Sequence, residues 1–264
     1  MKSGGLPALV TGLVLVFLYL PIFFLVLNSF NASRYSTAWE GWSFQWYAAL
    51  FQARNRDVWE SLRLSLAIGI AASLLSMVLG TLSALALHHY RSRLQQAHFT
   101  LVYLPIVMPE ILMGISLLVF FVSLGFTLGL FTITLAHITF CISYVALAVL
   151  ARLQDFDDSL LDAARDLGAG PWQTARRVVF PLLAPGILAG GLLAFTLSID
   201  DFVITFFVTG PGATTLPLRI YGMIKHSKEL PIINALSTLL LTLTFAAVWW
   251  SGRIIRRHSF TPIR

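Results

Sequence analysis

The feature that most constrains this chain is a series of long apolar intervals with few or no charged side chains. Residues 3–33, 64–90 and 230–252 contain no Lys, Arg, Asp or Glu. About 20 apolar residues are enough for a helix to cross the hydrocarbon core of a bilayer. The chain is 57% apolar and only 11% charged, whereas about a quarter of the residues in a soluble domain are charged. These properties indicate a membrane protein.

Three further intervals complete the pattern. Residues 111–151 form another charge-free interval, long enough for two helices and containing glycines at which a hairpin can turn. Two other intervals are interrupted only by acids, Glu110 in one and the pair Asp200 and Asp201 in the other. The sequence therefore predicts an all-α polytopic membrane protein, a single domain of six transmembrane helices. The approximate spans are residues 6–27, 62–88, 99–124, 129–151, 184–208 and 232–253.

The distribution of Lys and Arg sets the predicted orientation. If the N-terminus is cytoplasmic, most of the basic residues fall on the cytoplasmic side, as the positive-inside rule requires. Both termini are therefore predicted to be cytoplasmic. The net charge of +6 follows from this bias, and no soluble basic face with interleaved aromatic residues indicates nucleic-acid binding.

A charged loop of residues 152–181, cytoplasmic in this topology, is patterned as two short helices. Asp157, Asp158 or Ser159 can cap the first helix, and acids at that end complement its dipole. Gly168 stands where a left-handed residue commonly ends a helix, and the proline three residues later can open the second helix. The pattern predicts a helix pair joined by a tight glycine corner, which either docks on a partner protein or lies on the lipid surface.

This loop resembles the cytoplasmic EAA loop of the permeases of binding-protein-dependent ABC importers. The family pattern is Glu-Ala-Ala, three residues, Gly, nine residues and Ile-x-Leu-Pro. At those spacings the chain has Asp162-Ala163-Ala164, Gly168 and Val178-Val179-Phe180-Pro181. The usual glutamate is replaced by aspartate. The resemblance implies that residues 152–181 form a coupling loop between the chain and a separate ATPase subunit. Its coupling residues would be Asp162, Ala163, Ala164, Gly168 and Pro181.

Nearly the whole chain is similar to the permeases of spermidine/putrescine importers of the ABC class. The stretches that carry this resemblance are residues 28–31, 137–141, 163–169, 198–201, 209–211 and 216–221. The resemblance implies the type I permease fold, the bacterial inner membrane and a polyamine solute. It also implies a complex with a second permease subunit, two ATPases that bind ATP and Mg²⁺, and an external solute-binding protein. This chain would then be a non-catalytic subunit without a cofactor.

Three acids lie within the predicted spans, where an ionisable side chain costs about 2.5–3.5 kcal/mol on insertion scales. On an ideal helix, one narrow stripe contains Ser198, Asp201, Thr205 and Thr209. Asp201 is therefore the better candidate to face a pore, because Asp200 points about 100° away. Glu110 follows Pro109 and lies about 17 Å from the start of its span, near the midplane. The acids either attract the ammonium groups of a solute or pair with neighbouring subunits and never meet solute.

Other functions leave part of the sequence unexplained. A permease of the same fold for iron, sulfate or a sugar would share the coupling loop, although intramembrane acids argue against an anionic solute. A proton-coupled secondary transporter would use the acids as relays but would not explain that loop. No nucleophile–base or metal-ligand pattern indicates an enzyme. Gly210-Pro211-Gly212 lacks the Lys-Ser/Thr of a phosphate-binding loop. We therefore expect no bound metal and no nucleic-acid partner.

Overall fold

A computed structural model describes residues 5–34, 38–89, 94–154, 156–157, 159–227 and 230–258. Within these residues the backbone is almost entirely helical, with a single isolated β-bridge between Asn31 and Trp42. The α-helices of the described residues are α1 Gly5–Asn28, α2 Gln45–Leu50, α3 Arg56–His89, α4 Gln95–Val107, α5 Glu110–Ser123, α6 Leu130–Gln154, α7 Ser159–Asp166, α8 Pro171–Thr174, α9 Phe180–Asp200, α10 Val203–Val208, α11 Leu216–Gly222 and α12 Leu230–His258. The predicted all-α class is confirmed.

Several helices are long and apolar enough to cross a bilayer. Within the described ranges, four stretches qualify by length and composition: Pro7–Asn28, Ala53–His89, Leu130–Gln154 and Pro171–Asp200. Helices α4 and α5 meet the same criteria only when they are taken together as one bent segment, and Leu230–Ala246 is a shorter apolar helix. Each of the six predicted span positions therefore contains helix, and the polytopic class is confirmed. The termini predicted to be cytoplasmic, residues 1–4 and 259–264, lie outside the described residues.

The stretch predicted as one helix over residues 99–124 is instead two helices, bent by 115°. Helix α4 ends at Val107, and Met108 and Pro109 are both extended, with ψ of 133° and 132°. Proline has no backbone N–H to donate, and it disfavours the helical region for the residue before it. The sequence predicts a kink at Pro109, and the structure shows a complete change of direction.

A second break divides the stretch predicted as one helix over residues 184–208. Helix α9 ends at Asp200, Asp201 is extended with ψ of 124°, and α10 begins at Val203. The periodicity of the apolar residues contains no signal for this break, because it depends on side-chain hydrogen bonds described below. In the other direction, α9 runs back without a gap through a π-helical turn to α8.

The chain divides into two compact units, one formed by its two ends and the other by Glu60–Arg219. In the second unit, α6 is the central helix and packs against α9. An added Cβ at Gly80 would lie 2.8 Å from Val145 Cβ, and one at Gly190 would lie 2.9 Å from Val145 Cα. These glycines let α3 and α9 approach α6 closely, as small residues do in membrane helix packing.

In the unit formed by the chain ends, α12 packs against α1 and α2. The loop that joins α1 to α2 is organised by Asn31, whose backbone carbonyl accepts the indole N–H of Trp46 at 2.7 Å. A second indole N–H, that of Trp59, is donated to the carbonyl of Leu50 at 2.8 Å. These aromatic side chains therefore stabilise the segment between α1 and α3 by specific polar contacts as well as by their apolar area.

Candidate functional site

A cavity of about 310 Å³ lies within the unit Glu60–Arg219, beside both helix breaks. Three of its lining residues are the acids Glu110, Asp200 and Asp201. The other lining residues are mainly apolar or aromatic: Pro105, Met113, Phe140, Tyr144, Leu197, Phe202, Val203 and Ile204. Carboxylates attract cations, and aromatic faces attract them as well when water is displaced. The cavity therefore suits a solute that combines positive charge with an apolar body.

The packing of α5 against α10 explains why the three acids meet. An added Cβ at Gly114 would lie 2.6 Å from the ring of Phe207, so the close contact between these helices requires glycine. Glu110 is the first residue of α5, Asp200 is the last residue of α9, and Asp201 lies in the break before α10. All three acids singled out from the sequence consequently line one cavity.

Glu110 is exposed and lies at the bend between α4 and α5. The expected rise of about 17 Å assumed one continuous helix, whereas the helix of this structure changes direction two residues before Glu110. The location of Glu110 at the cavity is therefore set by the bend, and not by depth along a single span.

Asp201 differs from the other two acids because its side chain is only 6% exposed. Its Oδ1 accepts the backbone N–H of Ile204 at 3.3 Å, and its Oδ2 accepts the N–H and the hydroxyl of Thr205 at 2.8 and 2.6 Å. Backbone N–H groups in the first turn of a helix have no partner within the helix. Asp201 therefore caps α10, and its negative charge complements the helix dipole.

His137 on α6 joins Asp201 to a buried polar cluster. Its ring is 1% exposed, and Nδ1 lies 2.6 Å from Ser198 Oγ on α9. On the other side of the ring, Nε2 lies 2.9 Å from Thr205 Oγ1 and 3.3 Å from Asp201 Oδ2. His137 is therefore a buried, hydrogen-bonded residue of the helix packing.

The stripe expected on an ideal helix is only partly formed. The structure brings Ser198, Asp201 and Thr205 together, but they surround His137 and do not form an open polar face. Thr209 lies apart from them and donates its hydroxyl hydrogen to the carbonyl of Ala213 at 2.9 Å. Because the helix breaks after Asp200, the pattern of an uninterrupted helix does not apply beyond that residue. Asp201 has partners within its own chain, so pairing with a neighbouring subunit is not needed to satisfy its charge.

The aromatic lining of the cavity was missed in the sequence. Phe140 and Tyr144 follow His137 on α6 at spacings of three and seven residues, which place all three on one helical face. This spacing from an intramembrane histidine was the available signal. Phe202 reaches the cavity only because it lies in the break between α9 and α10, for which the sequence pattern contains no signal.

The coupling loop has the predicted helix–corner–helix form within its described residues. Helix α7 ends at a left-handed Gly168, whose φ is +78°. The N–H of Gly168 bonds to the carbonyl of Arg165 at 2.8 Å, and the N–H of Ala169 bonds to that of Ala164 at 3.0 Å. These two bonds form a Schellman motif, which requires the positive φ that glycine adopts freely. The predicted glycine corner is confirmed.

The predicted coupling residues differ in exposure. Asp162, Ala163, Gly168 and Pro181 are exposed, whereas Ala164 is buried against the rest of the loop. The side chain of Asp162 is 72% exposed and accepts a hydrogen bond from Arg165 at 3.1 Å. Leu167 and Trp172, beside the corner, are exposed apolar side chains. This surface of the loop is available to a partner.

The start of α7 is organised by Asp157, whose Oδ1 accepts the backbone N–H of Ser159 at 3.0 Å. Hydrogen bonds from the side chain and backbone of Ser159 hold the pKa of the Asp157 carboxyl below its ordinary value. Asp158, the other acid considered as a cap, lies outside the described residues. In the part of the chain that the structure describes, no group of three His, Cys, Asp or Glu side chains is arranged to hold a metal ion.

Comparison with known proteins gives a consistent result. Residues 76–259 match the family described as "Binding-protein-dependent transport system inner membrane component". The chain is 39% identical over 246 residues to the spermidine/putrescine transport system permease protein PotC of Haemophilus influenzae, covering 93% of this chain and 95% of that protein. It is 42% identical over 232 residues to the putrescine transport system permease protein PotI of Escherichia coli K12, covering 85% and 82%.

A solved structure has a similar fold. It belongs to a bacterial ABC transporter involved in the import of the acidic polysaccharide alginate. The TM-score is 0.75 with 17% sequence identity, and the alignment covers 96% of this chain and 95% of that chain. At this identity the similarity establishes the fold of an ABC importer permease and not the solute.

Proposed function

Because this chain belongs to the family of binding-protein-dependent transport system inner membrane components, we propose that it forms half of the translocation path for polyamines in an ATP-driven importer. The proposed solutes are spermidine and putrescine. The cavity lined by Glu110, Asp200 and Asp201 is the proposed solute site. ATP hydrolysis belongs to a separate subunit, so this chain is a non-catalytic part of the complex.

The chemistry of the cavity supports a polyamine. Such a solute carries several ammonium groups separated by methylene chains, and dehydrating each ammonium group is unfavourable unless an opposite charge replaces its water. Glu110 and Asp200 offer exposed carboxylates, and the rings of Phe140, Tyr144 and Phe202 offer apolar faces that also attract cations. The names of the relatives, which describe spermidine and putrescine transport, agree with this chemistry.

The coupling loop supports an ATPase partner. Its corner is rigid, because the Schellman bonds at Gly168 fix the angle between α7 and α8, and the second helix continues directly into α9, which ends at Asp200. Movement of the loop would therefore be transmitted along one continuous helical segment toward the cavity. We propose that Asp162, Ala163, Ala164 and Gly168 contact or shape the ATPase interface, and that ATP and Mg²⁺ bind only to that partner.

The proposed assembly contains a second, different permease subunit, two ATPases and an external solute-binding protein in the bacterial inner membrane. Helix α1 supports this assembly, because its apolar stretch is not buried within this chain and can therefore contact lipid or another subunit. Both termini are proposed to be cytoplasmic. Single cysteines introduced at Ser3 and at Ser259 should therefore resist a membrane-impermeant reagent applied from outside, and labelling of either would contradict the proposed topology.

The observation that best supports this function is that exposed carboxylates and aromatic rings meet in one cavity beside the two helix breaks. Asp200→Asn and Glu110→Gln preserve size but remove charge. Exchanging an ion pair for a neutral hydrogen bond in a partly dehydrated site should cost about 1–3 kcal/mol, which lowers uptake about five- to a hundredfold. Spermidine and putrescine uptake per assembled complex is the measurement.

The matched control is Glu40→Gln, outside the cavity, where glutamine can still accept the hydrogen bond from Ser33 Oγ. This variant should transport at the wild-type rate. Wild-type uptake by both cavity variants would rule out the proposed solute site. Uptake of iron, sulfate or a sugar, with no uptake of polyamine, would instead identify a permease of the same fold for another solute.

A further inference from the structure

Asp200 and Asp201 are neighbours in sequence but have different surroundings. Among the described residues, no side chain donates a hydrogen bond to Asp200 or Glu110, whereas Asp201 accepts two backbone N–H groups and a hydroxyl. We propose that His137 is a positioning residue, which holds the break between α9 and α10 so that Asp200, and not Asp201, meets the solute. The transport consequence of this proposal rests on the proposed function, but its structural consequence does not.

The contacts of the cluster determine which atoms carry hydrogens. Thr205 Oγ1 has one hydrogen and donates it to Asp201 Oδ2 at 2.6 Å. The hydroxyl oxygen must therefore accept at its contact with His137, so Nε2 carries a hydrogen. The other ring nitrogen, Nδ1, lies 2.6 Å from Ser198 Oγ, and one hydrogen bond joins the two atoms. A continuous chain of hydrogen bonds therefore links Ser198, the ring, Thr205 and the Asp201 carboxylate.

This chain of hydrogen bonds holds both sides of the helix break. Ser198 lies two residues before the end of α9, and Thr205 lies in the first turn of α10. Both bond to one ring on α6, the central helix, where the neighbouring Ala136 and Cys141 are fully buried. The break therefore cannot change its angle without separating at least one of these bonds. Because Asp200 is the last residue of α9, the direction of its Cα–Cβ bond is fixed with the break, which sets the region that its carboxylate can reach.

The same contacts remove Asp201 from competition for solute. Its carboxylate already has donors at both oxygens and the favourable end of the α10 dipole. A solute ammonium group has little access to this carboxylate, because the side chain is only 6% exposed and is already bonded to buried groups. Asp200 and Glu110 have no such donors from side chains of the described residues. Asp201 therefore shapes the break, and Asp200 meets the solute.

The first test does not require transport. Asp200→Cys introduces a thiol at the cavity, while the native Cys141 is fully buried and its Sγ donates to the carbonyl of Ala194. Reaction of the assembled complex with a membrane-impermeant maleimide reports the accessibility of position 200. We expect His137→Ala to change the labelling rate about threefold or more, because the buried network is lost. An unchanged rate would overturn the proposal.

His98→Ala is the matched control, because it removes another contact between a histidine and a serine on different helices, His98 Nε2 to Ser83 Oγ at 2.8 Å, away from the cavity. It should leave the labelling of position 200 unchanged. If His137→Ala yields no assembled complex, Thr205→Val and Thr205→Ser replace it. Valine removes the hydroxyl that joins His137 to Asp201 and should change the labelling rate of position 200. Serine retains this hydroxyl and should label at the rate seen with Thr205. Equal labelling of these two variants overturns the proposal.

The second test separates positioning from general stability. In the wild-type background, His137→Ala should lower polyamine uptake per assembled complex about fivefold. In the Asp200→Asn background it should lower uptake less than about twofold, because His137 acts only through the contact between Asp200 and the solute. Effects that multiply in the double variant overturn the positioning role. If Asp200→Asn alone transports polyamine normally, Asp200 does not meet the solute and that part of the proposal is overturned, and the labelling rate alone then decides whether His137 fixes the break.

Discussion

The break between α9 and α10 and the coupling loop are both polar interruptions of an apolar chain, but they satisfy their polar groups in opposite ways. At the break, the side chains of His137 and Asp201 are 1% and 6% exposed and have partners within this chain. In the coupling loop, the side chains of Arg165 and Asp162 are 70% and 72% exposed and form only a surface ion pair. The polar groups at the break are satisfied within the chain and set its shape, whereas those of the loop remain on an exposed surface, which we propose binds the ATPase partner.

Among substitutions in these two regions, the largest effect on transport is expected from Gly168→Val at the corner of the coupling loop. The φ of +78° disfavours a β-branched side chain by about 1–3 kcal/mol. We expect polyamine uptake and solute-stimulated ATP hydrolysis of the reconstituted complex to fall together by about tenfold or more. Normal values for both would show that the corner does not transmit the motion.

Gly170→Val provides the control for this variant. Gly170 has a φ of −70° and a ψ of 166°, and no atom lies within 4 Å of an added Cβ. Valine adopts such an extended backbone readily. Transport by this variant should therefore remain close to that of the wild type, and an equal loss in both variants would indicate sensitivity to side-chain bulk and not to backbone conformation.

A smaller effect is expected from Ser198→Ala at the helix break. The change removes the hydrogen-bond partner of His137 Nδ1 and leaves that buried atom unpaired, which should lower the free energy of unfolding by about 1–3 kcal/mol. Thermal denaturation of the purified subunit in detergent measures this loss. Ser116→Ala is the control, because Ser116 is exposed and bonds only to the carbonyl of Leu112 in its own helix. Equal shifts in both variants would contradict the role of the buried cluster.

The smallest effect on stability is expected from Asp162→Asn. An exposed ion pair contributes about 0–1 kcal/mol, so the thermal denaturation of the isolated subunit should change little. Capture of the ATPase subunit by the purified permease subunits should weaken, because the proposed role of Asp162 is to contact the ATPase. Arg165→Gln breaks the same ion pair and serves as the control for stability. A large loss of subunit stability in Asp162→Asn would mean that the loop is held by this chain and not completed by a partner.

The features that could be predicted are those that depend on neighbouring residues. The glycine corner at Gly168 follows from a cap, a short helix and a proline within about 15 residues of sequence, and the apolar spans follow from composition. The surroundings of Asp201 could not be predicted in this way. They depend on contacts of His137 with residues 61 and 68 positions later, and these contacts occur only after the helices have packed. An ideal helix therefore grouped Ser198, Asp201 and Thr205 correctly, but it added Thr209 and placed all four in an open stripe.

The separation between His137 and its partners also has a consequence for biogenesis. At roughly 5–20 residues per second, synthesis of the 61 residues that separate His137 from Ser198 takes roughly 3–12 s. During that interval the imidazole of α6 has neither Ser198 nor Thr205 available, and hydrocarbon supplies no hydrogen-bonding groups. A nascent chain that ends before Ser198 thus carries an unpaired ring in its central helix. Maturation of this helix bundle must wait until α9 and α10 have been synthesised and have entered the membrane.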